Sequence, residues 1–257
     1  MIDDLGVEVL LAAPPRRVVS LVPSLTEAVA VTAPVLLVGA TDYCTHPAGL
    51  DVVRVGGSKY PSVDRVLAAV PDLVLANAEE NRRADVEALR AAGVPVWVTY
   101  PRTLDAALVS LARMLARLGL AEPPWLAAAR AAWAAPPPAG PRRRAVVPVW
   151  RRPWVVLGPG TFAGDLLHRL GIDNLYDADV DRYPRPELAE MLARRPELVV
   201  LPDEPYPFSA TDGPEAFPGL PCALVSGRHL TWYGPSLAEA RDLLAGQLAA
   251  ADGRSGA

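Results

Sequence analysis

Leu67–Val74 reads LAAVPDLV, and 125 positions later Leu192–Val199 reads LARRPELV. Gly93-Val94-Pro95-Val96 is followed at an offset of 126 by Gly219-Leu220-Pro221-Cys222. Two matches in the same order and at nearly one spacing imply a duplicated unit, each copy filling about half of the 257 residues. Halves of roughly 100 to 130 residues are each long enough to close a core of their own. The repeated text is the end of a helix running into an apolar strand, which points to parallel α/β architecture in both halves.

The rest of the chain supplies elements of the same kind. Arg17-Val18-Val19-Ser20-Leu21-Val22 is the continuous apolar run of a strand buried on both faces. Strands are expected also near Val7–Leu11, Val35–Ala40, Leu73–Ala76, Val96–Tyr100, Ala145–Trp150, Leu198–Leu201 and Ala223–Val225. Helices are expected at Ser62–Val70, Arg82–Ala92, Phe162–Leu170, Pro186–Arg194 and Ser236–Ala250. Ser24 with Glu27 three residues on has the spacing of a capping box. Trp154–Thr161 reads as a glycine-containing loop.

Between the halves, Leu104, Leu108, Leu111, Leu115 and Leu118 recur at three- and four-residue steps. Trp125, Leu126, Ala129 and Trp133 resume the pattern after Pro123 and Pro124. Proline is tolerated in a helix's first turn but not in its middle, so two helices with a break at Gly119–Pro123 are expected. The second, about 12 residues or roughly 18 Å long, can cross from one lobe to the other. The expected organisation is an α/β fold of two Rossmann-like lobes, residues 1–102 and 139–257, joined by rigid connecting helices over 103–138. A ligand cleft is expected between the lobes, at the carboxyl ends of both sheets.

With 51% apolar residues, 21% charged and a net charge of -4, the chain reads as an ordinary globular protein. It has no basic stripe for nucleic acid, and Arg142-Arg143-Arg144 reads as a solvated lobe boundary. Two cysteines in different halves make no disulfide framework. No uninterrupted apolar run is long enough to span a membrane, and Met1–Leu11 carries neither a basic leader nor a lipoprotein leader. A cytoplasmic monomer is the expectation if Met1 is the native start, and an extracytoplasmic one if the chain has been trimmed.

Arg17-Val-Val-Ser-Leu-Val-Pro-Ser-Leu-Thr-Glu27, followed in order by Val38-Gly-Ala-Thr-Asp-Tyr43, Val55-Gly-Gly57, Pro71-Asp-Leu-Val-Leu75, Glu80-Asn-Arg82 and Pro153-Trp154, resembles a known family. These are the vitamin B12 and ferric-siderophore substrate-binding proteins of ABC importers, the helical-backbone receptors, and the resemblance runs from about Asp3 to Leu248. It implies two lobes on a connecting helix and noncatalytic binding of a metal chelate, with cobalamin, haem or a ferric siderophore as cargo and no intrinsic cofactor. It also implies a membrane permease as partner. Tyr43 falls where cobalamin-binding members place an aromatic pocket residue, and Ser58 where some have tryptophan. Asp64 matches the first-lobe carboxylate that docks on permease arginines. The second-lobe position falls at Thr231, with Glu190 or Glu187 as charged substitutes.

Read from the residues, the loops after strands carry Tyr43, Cys44, His46, Ser58, Tyr60 and Glu80 in the first half, and Trp154, Tyr183, His229 and Trp232 in the second. Aromatic rings cover flat, apolar ligand faces with little loss of rotamer freedom. Each tryptophan taken singly fits core packing as well. Cys44, His46 and His229 are also the candidate ligands for a bare Zn or Mn ion or an axial bond to a chelated metal. The alternative class is an enzyme, a chelatase or tetrapyrrole-modifying activity, which would need a histidine with a carboxylate beside it. No carboxylate lies near His229 in sequence.

Overall fold

The computed structural model describes residues 1–251, and the chain divides into two compact units. The first comprises Met1–Pro101, Asp105–Ala128 and Tyr233–Pro235. The second comprises Arg102–Leu104, Ala129–Trp232 and, of the described residues, 236–251.

The first unit is built as β1 (Val18–Ser20), α1 (Pro23–Thr32), β2 (Leu37–Ala40), β3 (Val53–Arg54), α2 (Val63–Ala68), β4 (Leu73–Asn77), α3 (Arg83–Ala91) and β5 (Val96–Thr99). Its five strands are all parallel, in the order β3-β2-β1-β4-β5. β1 and β4 are buried throughout, as central strands of a sheet covered on both faces must be. Val19, Leu21, Val74, Ala76 and Val98 pack with Val66 and Leu89 from α2 and α3. β1 leads on to β2 on one side and β4 leads on to β5 on the other, so the strand-order reversal, where such sheets bind ligands, lies between β1 and β4.

Two helices follow, α4 (Leu104–Arg117) and α5 (Pro124–Trp133), with the break where the two prolines put it. α5 begins in the first unit and ends in the second. A tryptophan pins each end inside its own unit. Trp125 Nε1 donates to Thr32 Oγ1 on α1 at 2.9 Å, and Trp133 Nε1 donates to the Leu237 carbonyl at 3.0 Å.

In the second unit come β6 (Arg143–Val146), β7 (Pro148–Trp150), β8 (Val155–Val156), α6 (Phe162–Arg169), β9 (Ile172–Asn174), α7 (Leu188–Ala193), β10 (Leu198–Pro202), β11 (Cys222–Val225), α8 (Gly227–Thr231) and α9 (Leu237–Ala249). Its main sheet is parallel in the order β9-β6-β10-β11, and β7 and β8 form a small antiparallel pair. With β6 for β1, β9 for β2, β10 for β4 and β11 for β5, this is the first sheet without its edge strand.

The duplication extends to backbone detail. α2 and α7 each end in a non-glycine residue in left-handed conformation, Val70 (φ 47°) and Arg195 (φ 54°), 125 positions apart. The next carboxylates, Asp72 and Glu197, accept from the backbone amides of Arg17 and Arg144 at 2.9 Å, tying the helix-to-strand corner to the start of β1 or β6. The arginine cluster is thereby engaged at the amino end of the second sheet, with Arg142 Nε on Asp173 at 2.6 Å and Arg144 on Glu197.

Some local expectations are corrected. Val7–Leu11 forms no strand beyond a single bridge between Ile2 and Glu8. Residues 34–36 make a 3-10 turn before β2, because Pro34 has no amide to give a strand. α1 starts at Pro23 with Val22 as N-cap, so Ser24 lies inside the first turn and makes no capping box. Proline at N1 sets the start there. Val147 interrupts the expected strand Ala145–Trp150, and the expected loop after it returns as β8.

Candidate functional site

In the first unit the loops that follow β2, β3 and β4 stand on a polar floor. Asn81 spans the strand-order reversal: its Oδ1 accepts from Asn77 N at 2.8 Å, and its Nδ2 donates to the carbonyls of Ser58 (2.8 Å) and Leu21 (3.2 Å). Asn77 Nδ2 donates to Tyr233 Oη at 2.7 Å, and Tyr233 Oη meets Thr99 Oγ1 at 2.8 Å. Every member is buried and bonded, which fixes the strand ends from which the loops spring.

Above this floor Tyr43 and Tyr60 are 67% and 69% exposed. Arg82 lies 4.6 Å from the Tyr60 ring centroid while paired to Asp85, and Gly57 lets the Tyr43 ring approach its backbone. His46 is exposed, with Nδ1 3.1 Å from Thr45 Oγ1. Ser58 shares a 3.2 Å hydrogen bond with Thr41, and Glu80 N donates to Asn77 Oδ1 in a turn at the end of β4.

Cys44 is different: it is fully buried, with Thr26 Oγ1 donating to its sulfur at 3.0 Å and Thr41 Oγ1 at 3.1 Å. Burial pushes its thiol pKa up, which disfavours the thiolate a soft metal needs. Among the described residues no three His, Cys, Asp or Glu side chains are grouped as a metal site requires.

The second unit takes His229 inward too. Its Nδ1 is 2.7 Å from Ser226 Oγ and its Nε2 is 3.0 Å from Glu239 Oε1, so both ring nitrogens are engaged in bracing α8 against α9. This is the histidine–carboxylate pair that the sequence did not reveal, since Glu239 is ten residues away on another helix. Trp232 is buried beneath Arg228, and beside it Glu204 is held above the usual carboxylate range by burial and by Asp203. Tyr183 is exposed. Trp154 is half-buried, nearly parallel to Phe208 at 6.2 Å and edge-on to Phe217 at 5.6 Å.

Trp154 lines a hollow of about 430 Å³ with Arg151, Arg152, Pro153, Arg185, Pro186 and Glu187. Segment 182–184 runs beside β8, where Val156 N donates to the Pro184 carbonyl at 2.9 Å and Gly158 N to the Arg182 carbonyl at 2.8 Å. That pairing brings Arg185 next to Trp154. It needs glycine at 158, because a Cβ there would overlap the Asp181 carbonyl oxygen. The three arginines gave no signal in the sequence, where arginine is the default cation and Lys59 the sole lysine.

The carboxylates proposed for docking lie on equivalent helices. Asp64 is exposed in the first turn of α2, which Ser62 caps by accepting from Arg65 N. Glu190 is exposed in the first turn of α7, 3.5 Å from Arg194. Thr231 instead sits in α8 and donates to the Gly227 carbonyl, so the repeat matches α7 and not α8 to α2. No helix of the described residues is long and apolar enough to cross a membrane.

No protein-family model matches the sequence, and no curated protein matches it. Solved structures do. The periplasmic vitamin B12-binding protein BtuF of Vibrio cholerae superposes with a TM-score of 0.76 at 19% identity, over 93% of this chain and 98% of that one. The periplasmic haem-binding protein RhuT from Roseiflexus sp. RS-1 gives 0.72 at 21% identity over 92% and 99%. Helicobacter pylori CeuE, in a complex with nickel and histidine, gives 0.81 at 15% identity over 99% and 90%. The chain thus has the fold of the substrate-binding proteins that include these vitamin B12 and haem receptors: two α/β lobes joined by a connecting helix.

Proposed function

We propose that the chain binds a metal chelate without altering it, as the substrate-binding protein of an ABC importer or a homologue of one. A corrinoid, haem or a ferric siderophore is the cargo class. The observation that carries this reading is the set of aromatic rings on strand-end loops, Tyr43 and Tyr60 exposed in one unit and Trp154 half-buried in the other, on a fold shared with B12- and haem-binding proteins. Rings on rigid strand ends suit the flat apolar faces of such ligands. Asp64 on α2 and Glu190 on α7, equivalent helices of a duplicated chain, are the proposed contacts to a permease. The inward engagement of His229 and the burial of Cys44 favour binding through ring faces and polar groups over direct ligation of a bare ion.

The experiment is to titrate purified protein with cyanocobalamin, haemin and ferric siderophores, following absorption and melting temperature, and to recover the ligand afterwards. Saturation at 100 times the dissociation constant adds about 2.7 kcal/mol of stability. One equivalent bound and recovered unchanged is the expected result. Metal insertion into porphyrin, or no response across the set, overturns the reading.

A further inference from the structure

In each unit one arginine ties down the loop that follows an equivalent strand, β2 or β9. Arg54, the last residue of β3, donates through Nη1 to the carbonyls of Thr41 and Cys44, both at 2.9 Å, and through Nη2 to that of Leu50 at 3.4 Å. Thr41 is the first residue beyond β2, so the guanidinium fastens loop 41–50 from its root to its far side. The second unit has no counterpart of β3, and its guanidinium comes from the end of α7 instead. Arg194 Nη1 donates at 2.8 Å to the carbonyl of Leu175, the first residue beyond β9. Nη1 and Nη2 also grip the two carboxylate oxygens of Asp179 at 2.8 and 3.0 Å, and the guanidinium lies 3.6 Å from the Tyr176 ring centroid. Because the two arginines stand on unrelated elements, the shared anchor is not a by-product of the duplication. Each loop is also fastened elsewhere: Asp42 N donates to the Gly56 carbonyl at 2.8 Å, and the segment carrying Tyr183 runs beside β8.

We propose that Arg54 and Arg194 are positioning residues: acting through the backbone and not by touching a ligand, they hold loops 41–50 and 175–183 in one arrangement before a ligand arrives. The proposal rests on the chelate-binding reading for what those loops then meet. Hydrogen bonds from a charged donor contribute more than neutral ones, and losing Arg54 takes the donor from the carbonyl of Cys44, a fully buried residue. Each guanidinium is therefore a large part of what keeps its loop closed onto the sheet. A receptor whose loops are already set gives up little ordering entropy on binding.

The test is amide hydrogen exchange, followed by mass spectrometry, on the intact ligand-free protein and on Arg54→Met and Arg194→Met, which keep an apolar stem and remove the donors. Amides 42–45 in the first variant and 176–179 in the second are expected to exchange about 10-fold faster than in wild type. Each variant is expected to leave the other loop, β4 and β10 unchanged. Circular dichroism and melting curves check folding, and the glutamine variant replaces a methionine variant that does not fold. Cyanocobalamin and haemin are then mixed with each protein by stopped flow. A chelate that binds wild type is expected to associate more slowly with both variants and to dissociate at the wild-type rate. Unchanged exchange in the matching loop, or faster exchange spread evenly through β4 and β10, overturns the proposal. If a chelate binds wild type and associates as fast with the variants, the positioning role fails and the chelate reading stands. If the loops loosen as expected while no chelate binds wild type, the positioning role stands and the chelate reading fails.

Discussion

Tyr233→Phe is the sharpest probe of the polar floor in the first unit. The Thr99 hydroxyl proton is committed to the Ala76 carbonyl at 3.0 Å, so at the 2.8 Å contact Tyr233 must donate into the Thr99 oxygen. Its own oxygen then accepts from Asn77 Nδ2 at 2.7 Å. Removing that oxygen leaves a buried amide donor unpaired and strips one bond from Thr99, while the ring stays in place. An orphaned buried polar group costs about 1–3 kcal/mol, and the expected loss is about 2 kcal/mol. For a chain of this size that lowers the melting temperature by about 4–8 °C. Urea unfolding of wild type, Tyr233→Phe, Thr99→Val and the double variant closes a cycle, because the lost bond from Thr99 to Ala76 is common to both backgrounds and cancels. A coupling of about 1 kcal/mol is expected between the two hydroxyls. A loss below about 0.5 kcal/mol in Tyr233→Phe, or no coupling, refutes the reasoning.

Replacing either left-handed corner residue by glycine, Val70→Gly or Arg195→Gly, is expected to raise stability by up to about 1 kcal/mol in chemical denaturation. The gain should be larger at Val70, whose branched side chain suits that conformation less. Alkaline pH is expected to weaken the fold. Burial raises Cys222 to about 11, and raises Cys44 and Tyr233, so the native state keeps protons that the unfolded chain releases from about pH 9 upward. Their stabilising contribution is complete below that point and is lost as pH rises through the native pKa values. A melting temperature flat from pH 7 to 11 would contradict this.

Much of the fold could be read from the chain because its signals are local and repeated. The apolar runs at Val18–Val22 and Leu73–Ala76 need burial on both faces, and Pro123-Pro124 admits only a helix boundary. The start of α1 was misread because Ser24 and Glu27 have capping spacing while Pro23, one residue earlier, sets the start. β7, β8 and α8 are only two to five residues long, too short to show a period. The candidate site was legible as a set of loops but not in its details. Tyr43 and Tyr60 are open, whereas Cys44 and His229 turn inward onto hydroxyls and a carboxylate that sequence distance hides.

The paired corner ties have a consequence for how the chain reaches its native state. Asp72 anchors the first sheet and Glu197 the second by one and the same knot between neighbouring strands, each fastened wholly within its own half. Neither half needs its sibling to set the register of its central strands. A ribosome-tethered first half can therefore complete its sheet before the second has been synthesised, leaving α5 and the Tyr233 segment as the last pieces to settle.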